Sequence, residues 1–179
     1  VENGRVLWTD TLNRQGRLAA IASLRDIDGH PVVYDGNVYL ISHSGRMVSV
    51  NLRTGVRVWE QNIGSKHTPW VTGEFIYVVT PDSEVICMTR REGRIRWITQ
   101  LERFKDPDIR KEQVHWHGPV VAGDRVIVTS SHGYAVTLSP YTGEVTGGMD
   151  LPDDAAMGPI VSNGTLYFMV EDGEIIAMR

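Results

Sequence analysis

The sequence predicts an all-β protein: a β-propeller of four-stranded antiparallel blades, with about four blades present. Three observations predict it. Apolar runs alternate with Gly-containing turns along the whole chain. Turn glycines recur about ten residues apart, as in Gly36, Gly45, Gly55 and again in Gly123, Gly133, Gly143. Trp closes the last run of successive units four residues after a Gly, from Gly4 to Trp8, Gly55 to Trp59 and Gly93 to Trp97. Short strands at this spacing read as an antiparallel meander. A unit of about four strands matches a propeller blade, and a fixed period of this length marks a repeat architecture.

The elements follow in order. Asn3-Gly4-Arg5-Val6-Leu7-Trp8 reads as a lone fourth strand within a first blade piece, 1–12. The piece 30–63 holds Pro31 to Tyr34, an Asp35-Gly36 turn, Asn37 to Ile41, a Ser44-Gly45 turn, Val48 to Val50, a Thr54-Gly55 turn and a run ending at Trp59. The piece 68–101 repeats this from Pro69, with Gly73, Pro81-Asp82-Ser83 and Gly93 as its turns. The piece 117–151 repeats it from Pro119, but Gly147 stands where Trp is expected, so that junction should pack differently. The piece 158–179 has turns at Asn163-Gly164 and Asp172-Gly173 and three strands, the fourth being absent. Asp-Gly, Asn-Gly and Ser-Gly supply the positive φ angles of tight hairpins. Strands such as Phe75-Ile76-Tyr77-Val78-Val79 are apolar on both faces, which suits sheets stacked on both sides. The repeated Trp is expected to wedge between adjacent blades. A short helical turn is expected over Ile109 to Val114.

Residues 1–179 read as one propeller fragment, a partial ring of an eight-bladed propeller. Exposed blade faces and strand edges are liabilities that a protein covers. A second copy covering the open ends, as a homodimer of half-propellers with two-fold symmetry, is therefore the arrangement expected in a crystal.

Composition narrows function. A net charge of −4 argues against a general nucleic-acid binder, and the 18 Lys and Arg are scattered. No apolar run is long enough for a spanning helix. Cys87, in the apolar run Val85-Ile86-Cys87-Met88, reads as a buried free thiol. Gly147-Gly148 reads as the end of a strand, and no phosphate-binding Gly loop or nucleophile elbow is present.

Candidate chemistry centres on His115-Trp116-His117. In an extended strand both imidazoles share one face and Trp116 takes the other. His30 and His67 fall, like His117, just before the first strand of a blade, so either is a candidate third donor for a metal; zinc needs three or four ligands. The bland reading, polar residues at a channel mouth, is preferred. Asp106, Asp108 and Glu112, in the long loop from Glu102 to His115, read as solvated groups. That loop and the loop from Asn13 to Gly29 both join one blade's last strand to the next blade's first. Both should emerge on one face, where long loops on a rigid scaffold carry function.

The units resemble the quinoprotein-like propeller repeat, and within it the BamB-like family of outer-membrane assembly lipoproteins. The stretches that carry the resemblance are Leu24 to Val33 with its acidic loop, Val48 to Trp59, and the C-terminal Glu171-Asp172-Gly173-Glu174-Ile175-Ile176-Ala177-Met178-Arg179. The resemblance implies the C-terminal half of an eight-bladed ring, without catalysis and without a cofactor. It implies a scaffold at the periplasmic face of the bacterial outer membrane that binds the periplasmic domains of BamA, the Omp85-type insertase, and unfolded outer-membrane proteins. Its lipid anchor would lie upstream of Val1. Leu24, Arg25, Asp26, Ile27 and Asp28 are the implied partner-binding residues; as residues alone, Asp26 and Asp28 equally fit a self-capped turn. Two alternatives stay open. One is a fragment of a dehydrogenase using pyrroloquinoline quinone and Ca²⁺, although the adjacent cysteine pair of that class has no counterpart here. The other is a related propeller that binds different envelope components.

Overall fold

The computed structural model describes residues 4–10, 12 and 29–179. Three four-stranded antiparallel sheets and one three-stranded sheet follow one another along the chain, each in simple meander order. Sheet A comprises β1 (Val32–Tyr34), β2 (Asn37–Ser42), β3 (Arg46–Asn51) and β4 (Arg57–Gln61). Sheet B comprises β5 (Trp70–Thr72), β6 (Phe75–Val79), β7 (Glu84–Thr89) and β8 (Ile95–Gln100). A separate hairpin follows, β9 (Phe104–Asp106) with β10 (Lys111–Gln113). Sheet C comprises β11 (Trp116–Ala122), β12 (Arg125–Ser130), β13 (Tyr134–Leu138) and β14 (Val145–Asp150). Sheet D comprises β15 (Ile160–Ser162), β16 (Thr165–Met169) and β17 (Ile175–Met178). This is the blade architecture of a propeller, present as a partial ring.

The core lies between sheets. Alternation sends Tyr39, Ile41 and Met47 of sheet A toward Ile76, Val78, Ile86 and Met88 of sheet B. The opposite face of sheet B, with Tyr77, Val79, Val85 and the buried free thiol of Cys87, meets Val126, Val128 and Leu138 of sheet C. Ile127 and Ala135 then meet Phe168 and Val170 of sheet D. A strand buried on both faces cannot alternate polar with apolar, which is why the middle strands read as continuous apolar runs.

The meander gives the assembly two ends. The β1–β2 and β3–β4 turns and their equivalents lie at one, the turn end. The β2–β3 turns and all connections between sheets lie at the other, the linker end. At the turn end the repeated Trp does what its spacing predicts. Trp59 Nε1 donates to Arg90 O (2.8 Å) and Trp97 Nε1 to Pro140 O (3.0 Å), each in the β3–β4-type turn of the following sheet. Trp8 makes the same bond to Leu52 O (2.8 Å). Each indole lies on the glycine of that turn: a Cβ would stand 2.6 Å from Trp8 at Gly55, 2.8 Å from Trp59 at Gly93 and 2.6 Å from Trp97 at Gly143. Those glycines also have φ near +70°, a conformation L side chains rarely adopt. Position and backbone thus demand the same residue.

One further tie at this end joins sheets A and B. Arg90, buried, donates from Nε to Gly73 O (2.8 Å), pairs with Asp35 (2.9 Å), and lies 5.1 Å over the ring of Tyr34.

Three expectations need correction. The segment Gly4–Trp8 is not a strand: its backbone joins no sheet among the described residues, although its Trp occupies the interblade position. No helical turn forms over Ile109 to Val114, because Lys111 and Gln113 pair with Asp106 and Phe104 instead. Gly147-Gly148 lies inside β14, opposite Thr137 and Val136, rather than at its end.

Candidate functional site

Among the described residues one long connection stands at the linker end. It runs from β8 to β11 and is built rather than slack. Asp106 Oδ1 accepts from the amides of Asp108 and Ile109 (3.2 and 3.3 Å), closing the hairpin tip. Arg110 and Glu112 take positive φ, which accommodates the tight return. Its base is tied down: Val114 N donates to Arg103 O (3.0 Å), Arg103 pairs with Asp82 (3.0 Å), and Lys105 with Glu112 (3.5 Å). Asp106, Asp108 and Glu112 are all exposed, as expected of solvated groups; in addition Asp106 caps a turn and Glu112 carries an ion pair. Ile109 stands at the tip, exposed.

Trp116 anchors this connection to sheet C. It is buried, donates from Nε1 to Glu102 O (2.8 Å), and meets Tyr134 edge to face at 5.3 Å. Tyr134 in turn donates to Glu102 Oε2 (2.7 Å). Burial, and then the neighbouring carboxylate, push the Tyr134 phenol above its ordinary range.

The histidines converge only in part. His67 and His117 meet edge to face with centroids 5.4 Å apart. Burial, followed by the nearby His67 and His115, lowers the His117 imidazole to about 4, so His117 is neutral at pH 7. His30 approaches through its backbone, its N–H donating to Thr68 Oγ1 (2.9 Å). Among the described residues no group of three or more His, Cys, Asp or Glu is placed to hold a metal. The pair is a polar contact at the mouth between sheets B and C. All six histidines, His30, His43, His67, His115, His117 and His132, sit at the linker end, a segregation that position relative to the strands discloses.

The predicted partner-binding residues Leu24, Arg25, Asp26, Ile27 and Asp28 lie outside the described residues. The residue after them, Gly29, is buried against the backbone of His67, where a Cβ would stand 2.8 Å from the carbonyl oxygen. Sequence reading missed the hairpin as a formed element. Its signal was present in Asp106-Pro107-Asp108, a turn cluster between two short polar runs that can pair.

Serial antiparallel blades, interleaved by Trp, define a propeller of the quinoprotein-like repeat class. The chain belongs to the family described as outer membrane protein assembly factor BamB, whose sequence profile matches residues 1–99. The BamB of Salmonella typhimurium is 26% identical over 179 residues, covering 99% of this chain and 43% of the relative. The BamB structure from Moraxella catarrhalis superposes with a TM-score of 0.81 at 22% identity, over 96% of this chain and 48% of that one. Quinohemoprotein alcohol dehydrogenase from Comamonas testosteroni shares the fold alone, with a TM-score of 0.58 at 19% identity over 70% of this chain and 21% of that one. The chain thus spans less than half the length of these relatives.

Proposed function

We propose that this propeller is a non-catalytic scaffold in outer-membrane protein assembly, acting at the periplasmic face of the outer membrane. The observation that carries the reading is the alignment of assembly factors along 99% of the chain, spanning the sheets and both long connections rather than an isolated motif. The partner is a BamA-like Omp85 protein, met through its periplasmic domains, and unfolded barrel proteins are secondary clients. Leu24 to Asp28 forms the contact: Asp26 and Asp28 face basic groups across the interface, and Leu24 and Ile27 supply apolar area. Paired carboxylates of this kind act mainly on orientation and association rate. Gly29, fixed on His67, supports this placement by holding the loop's exit at the linker end.

The test is a pull-down of the full-length protein from detergent-solubilised outer membranes. The wild type should recover an Omp85-type protein, and the Asp26→Lys, Asp28→Lys double variant should lose it while keeping its melting temperature. Undiminished recovery by the variant would overturn the loop assignment. Failure of both, with quinone-dependent dye reduction, would replace the scaffold by an enzyme.

A further inference from the structure

We draw no further inference here: the strongest candidate, the outward apolar face of sheet D, on which Ile160, Met169 and Ile175 stand exposed, carries nothing because nothing in the structure shows what covers it.

Discussion

The two ends of the molecule follow different rules. At the turn end the β3–β4-type turns of sheets A, B and C repeat one another. The glycine N–H of each β3–β4-type turn donates over 2.9 Å to the residue four earlier, at Gly55 to Asn51, Gly93 to Thr89 and Gly143 to Ser139. Each such turn then receives an indole from the preceding segment. At the linker end the junctions share some backbone bonds, such as Leu101 N to Ser83 O (2.8 Å) and Leu151 N to Gly133 O (2.7 Å), but differ in what they carry. One has an open cleft, the next a hairpin with a histidine pair, and the third the acidic connection Asp153-Asp154. A ring of stacked sheets needs one end to enforce spacing, which leaves the other end free to diverge into contacts. Recognition in such a fold is therefore to be sought among the linkers.

The contrast can be broken at the turn end. Trp97→Ala should cost the most, about 3 kcal/mol, because it removes a large interblade side chain and leaves a void. Urea unfolding with an unchanged slope measures it; a loss below about 1 kcal/mol would mean that the indole adds little to the stack. Gly93→Ala comes next, at about 2–3 kcal/mol, from positive φ together with overlap on Trp59. Gly73→Ala is its internal control: φ is positive there too, but nothing lies within 4 Å of the new Cβ, so only the backbone cost of about 1 kcal/mol remains. The difference between the two measures the indole contact itself.

Smaller effects sharpen the other end. The folded state holds His117 near 4, below its ordinary value of 6.5, so protons bind the unfolded chain first on acidification. Its contribution is complete above pH 6.5, is lost as the pH falls toward about 4, and is constant below that. Unfolding of wild type and His117→Gln at pH 7 and pH 4.5 checks this; the variant should lose less stability between the two. Least of all, Ile109→Ser at the hairpin tip should change stability by no more than about 0.5 kcal/mol, as exposed substitutions do.

The architecture was legible because it rests on short-range rules. Glycines mark the turns, paired apolar runs mark the middle strands, and Trp four residues after Gly announces the interblade contact. Even the irregular junction was readable: Gly147 replaces the Trp, and Ile127 stands where sheets A and B have Tyr39 and Tyr77, so both members of the aromatic pair are lost together. What escaped depends on long-range placement. Arg90 reads as one more scattered cation until the fold brings Asp35 and Tyr34 to it from sheet A. The polar runs beside Asp106-Pro107-Asp108 have no hydrophobic period, so nothing local distinguishes a formed hairpin from a loop. His67 and His117 are separated by an entire sheet; spacing made His30 or His67 a candidate third donor, but among the described residues no such group is placed to hold a metal.

The indole that rests on the next sheet's glycine has a consequence for how such a chain can be cut and rejoined. A module defined by its hydrogen-bonded ladder, from β5 to β8, would carry its own wedge but leave behind the one it receives. Transplanting it beside a different neighbour would set Gly93 under an unsuitable side chain and aim Trp97 at a turn with no room for it. The portable segment instead begins just after one indole and includes the next, and its new neighbours must offer Trp on one side and Gly on the other. Duplication or recombination that respects this offset yields blades that interlock at once, whereas joints placed at the sheet boundaries must first repair two mismatched contacts.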